Sequence, residues 1–425
     1  MERYSSYKDT GISWIPYVPS HWEVARMKRI FSEAKEKTID ENGALLSLSQ
    51  YTGVTPKDDA NKVGMFEAES TIGYNVVHVG QFVMNIMLAW NGSYAVSDYE
   101  GIISPSYCIF NFNEKCAQKY FHYLLRLPSY AGAFKTMSKG IIESRLRLYP
   151  IYFLAFKTII PPLADQEKIV RYLDSKTSKI DAYVADKEKE IQLLQELKQK
   201  TIAEAVTKGL NPNAKMRYSD ISWIGMIPEH WEMKQLRSFL SLFTEKGHGD
   251  AQLLSVTREQ GVILRDKDNK EENHNFVPED LSGYKYIEKG DFAINKMKAW
   301  QGSYAVSDYC GIVSPAYFTC KLKGVNKDFF SRAIRSKAYI PFFTQYSKGI
   351  RVDQWDLNPN ALKSIPFLLP PVDEQRAIVS YIEEKCQKID TLITELQAEI
   401  NYLKEYKQRL IADVVTGQVN VQNEI

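Results

Sequence analysis

Polar side chains of contrasting type occupy equivalent places in two similar stretches of the sequence. Residues 49–52 read SQYT and residues 257–260 read TREQ, and each run follows a Leu-Leu-Ser stretch and precedes Gly-Val. A glutamine amide matches the hydrogen-bonding edge of adenine, and an arginine guanidinium matches guanine. A loop of constant length with changed chemistry predicts that Gln50, Tyr51 and Arg258 read different bases. An ordinary variable surface loop is the alternative.

A second pair of stretches offers cations and amides near a turn. Residues 85–92, NIMLAWNG, match residues 295–302, NKMKAWQG. Lys296 and Lys298 alternate along a presumed strand, so both are expected on one face, where phosphates would lie. Copy one has Ile86 and Leu88 there, so this contact would not be shared. Asn91 and Gln301 are expected at a turn within reach of a groove, whereas Trp90 and Trp300 favour the core over base contact.

A third pair diverges after a shared Ser-Lys-Gly-Ile, at residues 138–141 and 347–350. The basic residues around it are candidate phosphate or base contacts, and a solvated charged face is the alternative. The full set of candidate DNA-binding residues is Gln50, Tyr51, Asn91, Lys139, Arg145, Arg147, Arg258, Lys296, Lys298, Gln301, Lys348 and Arg351.

The sequence shows no catalytic centre. It has no G-x-x-x-x-G-K-[ST] loop for nucleotide phosphates. The runs Ser104-Pro105-Ser106-Tyr107 and Ser314-Pro315-Ala316-Tyr317 only faintly resemble the Asn/Asp-Pro-Pro-aromatic run of adenine methyltransferases, and no Gly-rich cofactor loop accompanies them. The six histidines lack metal or triad partners, and His21 and His230 are expected to be structural. We therefore expect a non-enzymatic chain without metal or cofactor.

Composition is that of ordinary globular protein. The chain has 425 residues, 44% hydrophobic and 25% charged residues and a net charge of +2, so a DNA-binding surface would have to be local. Five cysteines without a C-x-x-C pair, and a polar start without a secretory signal, predict a reducing cytoplasm. No apolar run approaches the length of a membrane span, so no membrane association is expected.

The elements that would position these residues occur twice, about 209 residues apart. Residues 90–107, WNGSYAVSDYEGIISPSY, return as 300–317, WQGSYAVSDYCGIVSPAY, with fourteen of eighteen positions identical. The motif Pro-x-His-Trp-Glu occurs at 19–23 and at 228–232. A period this long exceeds that of solenoid repeats and indicates one duplicated domain-plus-helix unit.

A long helix is predicted in each copy. Paired prolines at 161–162 and 370–371 precede a Gln-containing acidic turn, and the helices are expected to end near Lys208 and Thr416. Apolar residues at steps of three, four and seven form one narrow stripe on a polar surface, which predicts a coiled-coil seam. The alternative is that each helix packs on its own domain. The seam residues are Leu173, Ile180, Val184, Ile191, Leu194, Ile382, Ile389, Ile393, Ile400 and Leu403.

The predicted fold class is α+β, with two similar mixed α/β globular domains separated by two long antiparallel coiled-coil helices. We expect the globular domains at 1–160 and 211–369, and the long helices at 161–210 and 370–425. Antiparallel pairing of the helices would return the chain to its first domain and relate the copies by a pseudo-two-fold axis. Such a bar with two unlike heads suits an inverted pair of DNA half-sites on one face of the duplex.

These features together resemble the specificity subunit, HsdS, of Type I restriction-modification enzymes. The resemblance spans essentially the full length. It depends on the opening 7–15, YKDTGISWI, with its Pro-x-His-Trp-Glu sequel, on 296–302 and 311–317, and on both Pro-Pro-x-x-[Asp/Glu]-Gln helix starts. Each motif alone is weak, whereas their double occurrence at one offset is specific.

The resemblance implies a non-catalytic reader of a bipartite DNA sequence, in which 1–160 and 211–369 would be target recognition domains and the segments 161–210 and 370–425 would be conserved spacer helices. The helices would set the spacing and dock two modification subunits (HsdM), which use S-adenosylmethionine to methylate adenine N6. Two restriction subunits (HsdR) would add ATP-dependent translocation and cleavage. Unlike loops predict unlike half-sites. Two alternatives stay open: a stand-alone DNA methyltransferase with its own recognition domain, and a coiled-coil adaptor with protein-binding heads.

Overall fold

The computed structural model describes residues 2–57, 70–113, 115–142, 145–266, 278–349 and 355–423. Two compact units divide the chain. The first comprises Met1–Asp186 with Glu399–Ile425, and the second comprises Lys187–Ala398. Each unit therefore contains one globular part and a portion of both long helices.

The described residues of the first globular part form short antiparallel strands and three α-helices. Its strands are β1 Tyr7–Asp9, β2 Tyr17–Pro19, β3 Glu23–Arg26, β4 Phe31–Ala34, β5 Leu46–Ser49, β6 Gly53–Pro56, β7 Asn75–Val77, β8 Phe82–Asn85, β9 Tyr94–Val96, β10 Gly101–Ile103, β11 Tyr107–Phe112 and β12 Lys157–Ile160. Its helices are α1 Gln118–Leu125, α2 Pro128–Met137 and α3 Pro150–Ala155. The central sheet has the strand order β4-β11-β8-β9.

The central sheet is covered on both faces because side chains alternate along its strands. Phe82 and Met84 of β8 enter the large cluster formed with the helices, whereas Val83 points to a second cluster under the β5–β6 hairpin. All four residues of β8 are buried. The hairpin is therefore anchored to the sheet by Leu46, Leu48 and Val54.

The second globular part repeats this order. Its strands are β13 Met216–Tyr218, β14 Met226–Pro228, β15 Glu232–Gln235, β16 Leu240–Phe243, β17 Leu254–Thr257, β18 Gly261–Leu264, β19 Lys285–Ile287, β20 Phe292–Ile294, β21 Tyr304–Val306, β22 Gly311–Val313, β23 Phe318–Leu322, β24 Ser347–Lys348, β25 Asp356–Leu357 and β26 Pro366–Leu369. Its helices are α5 Lys327–Arg335, α6 Ile340–Tyr346 and α7 Pro359–Ser364. The central order β16-β23-β20-β21 matches that of the first part, which confirms the duplicated mixed α/β fold.

Two helices of unusual length complete the fold. In this numbering α4 spans Leu163–Lys208, the helix α8 spans Val372–Val415, and both agree with their predicted limits. In the first unit the start of α4 (Leu173) and the end of α8 (Leu410, Val414) share one core. In the second unit the end of α4 (Val206) and the start of α8 (Ile382) do so. Within each unit the helices are therefore antiparallel.

An ion pair repeats at the 209-residue interval along these helices. Lys407 Nζ lies 2.6 Å from Asp181 Oδ1 in the first unit, and Lys198 Nζ lies 2.6 Å from Asp390 Oδ1 in the second. Both side chains of each pair are partly exposed, so each pair contributes only about 0.2–1 kcal/mol and acts mainly on register.

The ten seam residues are all buried or half-buried. Leu173, Val184, Ile382, Ile389 and Ile400 are buried, and Ile180, Ile191, Leu194, Ile393 and Leu403 are intermediate. Leu173 and Ile382 also contact the globular cores, so packing of a helix on its own domain, the alternative considered above, is realised at the helix starts.

The repeated motifs meet where each long helix begins. Asp165 Oδ2, in the first turn of α4, accepts hydrogen bonds from Trp22 Nε1 at 3.0 Å and from His21 Nε2 at 2.8 Å. Gln166 donates to the carbonyl of Pro161 and accepts from the amide of Ala117. The helix start is thereby tied to the Pro-x-His-Trp-Glu motif.

The second unit repeats the junction. Glu374 Oε2 accepts from Trp231 Nε1 at 3.0 Å and from His230 Nε2 at 2.8 Å. Gln375 donates to the carbonyl of Pro370. The motifs that carry the resemblance therefore hold helix to domain, which accords with the structural role expected for both histidines.

Candidate nucleic-acid interface

Three segments of the first unit lie beside one another. They are the turn between β5 and β6, the segment 86–92 after β8, and the described residues 138–142 and 145–148 after α2. A Cβ built on Gly92 would lie 3.9 Å from Cβ of Gln50, which joins the first two segments. The amide of Leu148 donates to the carbonyl of Ile86 at 3.0 Å, which joins the last two. These two contacts join the segments that carry the predicted DNA contacts of copy one.

The β5–β6 turn is held from below by an arginine. Arg126, just after α1, donates from Nη2 to the carbonyl oxygens of Gln50 at 2.6 Å and Tyr51 at 3.2 Å. Its Nη1 donates to the carbonyl of Tyr94 in β9 at 3.1 Å. The Gln50 side chain is half-buried, and the Tyr51 side chain is 82% exposed.

The second unit holds its β17–β18 turn in the same manner. Arg335, the last residue of α5, donates from Nη2 to the carbonyls of Arg258 at 3.2 Å and Glu259 at 2.7 Å. Its Nη1 donates to the carbonyl of Tyr304 in β21 at 3.0 Å. Arg258 itself is exposed. Sequence reasoning missed Arg126 and Arg335, although their spacing of 209 residues was a usable signal.

Both turns need a glycine at the same place. Gly53 and Gly261 have φ values of +73° and +80°, a region that side chains disfavour. A Cβ on Gly53 would lie 3.1 Å from Cβ of Ala95, and one on Gly261 would lie 2.9 Å from Cβ of Ala305. The close approach leaves little room for a side chain at either position.

The segment after the central strand corrects one prediction. Lys296 and Lys298 do not alternate along a strand, because β20 ends at Ile294 and residues 296–298 form a turn into the short 3-10 helix Ala299–Gln301, the counterpart of Ala89–Asn91 in copy one. Lys298 is exposed, whereas Lys296 is half-buried and its Nζ lies 2.9 Å from Asp356 Oδ2. Lys298 is therefore more accessible to a phosphate than Lys296.

The amides beside this segment are placed at the turn, as expected. Asn91 is half-buried, and its Oδ1 accepts a hydrogen bond from Ser93 Oγ at 3.0 Å. Gln301 is likewise half-buried. Each of them precedes a glycine with φ of +97°, Gly92 or Gly302, which closes the turn.

Trp90 and Trp300 are half-buried, so the expectation that they lie in the core is wrong. Trp90 donates from Nε1 to the carbonyl of Met87, and Lys135 Nζ lies 5.4 Å from its ring centroid. The ring centroids of Trp300 and Trp355 are 5.4 Å apart. Aromatic faces thus line this segment in both units, because the turn lifts the chain out of the sheet before each tryptophan.

The third segment supplies most of the exposed cations. Lys139, Arg145 and Arg147 are exposed, and Lys139 and Arg147 form a β-bridge. In the second unit Lys348 of β24 is exposed and lies opposite Asp356 of β25, while Arg351 lies outside the described residues. The amide of Leu357 donates to the carbonyl of Lys296, as Leu148 does to Ile86.

The cations and amides of these segments can donate hydrogen bonds to a polyanion. Among the described residues no cluster of three or more His, Cys, Asp or Glu side chains could hold a metal ion. Burial raises the pKa of Cys108 to about 11 and that of Cys320 to about 12, so these thiols stay protonated at neutral pH. Over the ranges given above, no helix is both long and apolar enough to cross a bilayer.

Comparison of the sequence with known proteins found curated relatives along the whole chain. It is 23% identical over 438 aligned residues to the putative type I restriction enzyme MjaX specificity subunit of Methanocaldococcus jannaschii, covering 98% of this chain and 97% of that protein. It is 24% identical over 344 residues to the type I restriction enzyme EcoKI specificity subunit of Escherichia coli, covering 76% and 68% respectively. No family model matches.

Solved structures with the same fold were also found. A chain from a type I restriction-modification system, described for its complex assembly and conformational transition, superposes with a TM-score of 0.66 at 15% identity and covers 95% of this chain and 99% of that one. The HsdS subunit of Thermoanaerobacter tengcongensis gives a TM-score of 0.52 at 15% identity, with 95% and 98% covered. The expected likeness to the HsdS family is confirmed in sequence and in fold.

Proposed function

We propose that this chain is the non-catalytic DNA-specificity subunit of a Type I restriction-modification complex. Each unit reads one half of an asymmetric bipartite target. Methylation of adenine N6 and ATP-dependent cleavage belong to partner subunits. The likeness to relatives named as specificity subunits supports this reading.

One observation carries the proposal: the two units present different side chains from the same turn on the same scaffold. Gln50 and Tyr51 in one unit correspond to Arg258 and Glu259 in the other, and equivalent arginine hydrogen bonds hold both backbones. Glutamine suits adenine and arginine suits guanine in the major groove. A protein that binds one kind of partner twice would have no need of this contrast, whereas a reader of two unlike half-sites requires it.

The nearby cations would position the turn on the duplex. Lys139, Arg145 and Arg147 in one unit, and Lys298 and Lys348 in the other, are exposed beside the turns. Contacts from such residues to phosphates fix register without carrying sequence information. Affinity would therefore fall steeply with salt, in proportion to the number of phosphates contacted.

Exposed apolar residues on the long helices would dock the modification subunits. Leu193 and Leu197 on α4 are 56% and 50% exposed, and their counterparts 209 residues later, Tyr402 and Tyr406 on α8, are 68% and 39% exposed. Residues four apart lie on one face of a helix. An apolar pair repeated on two helices whose exposed surface is mostly charged would mark two equivalent partner sites, one in each unit. Two modification subunits and, through the complex, two restriction subunits would follow.

The reader role is tested by co-expressing the chain with its modification subunit and mapping methylated adenines by single-molecule sequencing. We expect one bipartite motif. Gln50→Ala with Tyr51→Ala should relax one half of the motif and Arg258→Ala the other, while the exposed control Arg29→Ala should leave it unchanged. Absence of methylation with any partner would favour the adaptor, and methylation by the chain alone would favour the stand-alone methyltransferase.

The docking sites are tested separately by native mass spectrometry of the co-expressed complex. Leu193→Asp with Leu197→Asp should remove one of two modification subunits, because a carboxylate cannot be buried against an apolar partner surface at low cost. The double change Tyr402→Asp and Tyr406→Asp should remove the other. Gln195→Lys, an exposed position on the opposite side of the same helix, is the control. A complex that keeps both subunits in all variants would contradict the assignment.

A further inference from the structure

Arg126 and Arg335 occupy equivalent places in the two units, and the hydrogen bonds described above run to main-chain atoms and not to candidate base-reading side chains. Each donates three hydrogen bonds to main-chain carbonyls, two in the turn and one in the neighbouring strand, over 2.6–3.2 Å. The arginine and the turn are about 75 positions apart in sequence. The contacts are therefore tertiary and not part of local turn formation.

The geometry of the guanidinium explains why arginine occupies this place. Its donors lie in one rigid plane, so a single side chain can satisfy carbonyls on two different strands. Both guanidinium groups are half-buried, and burial lowers the pKa of each, although a guanidinium stays charged. A buried tyrosine is the neighbour that opposes this lowering in each unit, Tyr94 beside Arg126 and Tyr304 beside Arg335.

A half-buried charge held only by neutral carbonyls costs more than one held by a carboxylate, so an arginine at this place calls for a function. The turn has few backbone hydrogen bonds of its own beyond the β5–β6 and β17–β18 ladders, which end at Gly53 and Gly261. Without the arginine, the carbonyls of residues 50–51 and 258–259 would have to be held by water. Arginine thus fixes the part of the turn that carries the variable side chains.

We infer that Arg126 and Arg335 are positioning residues that hold the two recognition turns in their DNA-binding geometry before DNA arrives. The inference rests on the proposed function. Because only main-chain atoms are held, the turn side chains can differ between units without change of backbone. Preorganisation of this kind lowers the ordering cost of binding.

The test uses the full complex and duplex DNA that contains the bipartite site read from the methylation map. Binding is measured by fluorescence anisotropy for the cognate duplex and for duplexes altered in one half. Arg335→Met should weaken cognate binding roughly 10-fold, about the effect of one lost hydrogen-bonding group. It should reduce discrimination at the half read by the second unit only. Arg332→Met on the same helix, which pairs with Glu383 and not with the turn, is the matched control.

A double-mutant cycle separates positioning from general stability. If Arg335 acts through the turn, Arg335→Met should cost less than about 2-fold in the Arg258→Ala background, because contacting sites are non-additive. Arg335→Lys should not restore binding, since one ammonium cannot reach three carbonyls in two directions. Full restoration of DNA binding by lysine would show that the positive charge at position 335 acts on a DNA phosphate, and it would overturn the inference.

The outcomes also distinguish this inference from the proposed function. If the wild-type complex binds no bipartite site, the proposed function fails. If it does, and Arg335→Met leaves half-site discrimination intact or adds its full cost to Arg258→Ala, the positioning role fails. Arg126→Met repeats the experiment for the half-site read by the first unit. If Arg335→Met does not fold, Arg335→Gln replaces it; glutamine keeps an amide donor, so its loss of binding should be intermediate.

Discussion

At the scale of single residues, one carboxylate in each unit joins a long helix to the globular part before it. Asp165 and Glu374 each accept from a tryptophan indole and a histidine ring. Trp22 and Trp231 are almost fully buried, so the carboxylate is the acceptor that their indole N–H groups need. The histidines are half-exposed and contribute less.

Asp165→Ala should lower the free energy of unfolding by about 1–3 kcal/mol, because it leaves the buried Trp22 N–H without an acceptor. Urea unfolding followed by tryptophan fluorescence measures the effect. Glu167→Ala, an exposed acid in the same helical turn, should change stability by less than about 0.5 kcal/mol. Equal effects of the two changes would mean that the acids act only through the helix dipole.

His122 should make the stability of the first unit depend on pH. The second unit has no histidine at the equivalent position. Burial, reinforced by the neighbouring Arg126, lowers its pKa to about 4, and its Nδ1 accepts from the amide of Val96 at 3.4 Å. The unfolded chain binds a proton near pH 6.5 and the folded chain does not. Above about pH 6.5 His122 therefore does not change the free energy of unfolding. As the pH falls from about 6.5 to 4, proton binding by the unfolded chain lowers that free energy.

The loss should reach up to about 3 kcal/mol for the wild type near pH 4. Serine occupies the equivalent position, Ser331, in the second unit. His122→Ser should therefore flatten this part of the stability profile. Urea midpoints at pH 7, 6 and 5 for both chains measure it, and identical pH profiles would refute a neutral buried His122.

At the scale of elements, each long helix carries buried residues that pack in a core and exposed apolar residues that face solvent. Leu173 belongs to a core that includes Leu410 and Val414 of the other helix, while Leu193 is more than half exposed. The first kind of residue stabilises the unit. The second kind is available to a partner.

Leu173→Ala should lower the free energy of unfolding by about 2–5 kcal/mol through lost burial and a cavity. Leu193→Ala should change it by less than about 0.5 kcal/mol. Thermal unfolding of the isolated chain measures both. A large effect of Leu193→Ala without a partner would show that this residue is already covered.

The helices were predictable from sequence and the recognition segments only partly so. Paired prolines, acidic first turns and a narrow apolar stripe are local signals, and the observed limits follow them. The alternation that suggested a strand through Lys298 fails because the turn is set by Gly302 and by Leu357, which bonds to Lys296 from a distant part of the sequence. The hydrogen bond from Arg126 to the carbonyl of Tyr51 is likewise a tertiary contact, which no local sequence pattern predicts.

At the scale of the whole chain, the duplication separates what is held constant from what varies. Sheet order, helix starts and turn glycines are shared by both units, and the side chains of the three interface segments differ. Specificity should therefore move with those segments.

Replacing residues 49–52, 85–92 and 138–148 by 257–260, 295–302 and 347–357 should give a target whose two halves have the same base sequence. The scaffold contacts are conserved, so the graft should fold. Methylation mapping of the grafted chain with its modification subunit measures this. Exchange of α3 for the sequence of α7 is the control, and an unchanged asymmetric target after the graft would place specificity elsewhere.

The division into units has a consequence for biosynthesis. The second unit is one uninterrupted stretch, Lys187–Ala398, whereas the first needs Glu399–Ile425, including the buried Val414 and Val421, to complete its core. At ~5–20 residues per second, the ribosome delivers that last stretch roughly 10–50 s after the rest of the first unit. The part translated first is thus finished last, and until then its unfilled apolar cleft is exposed to chaperones and proteases.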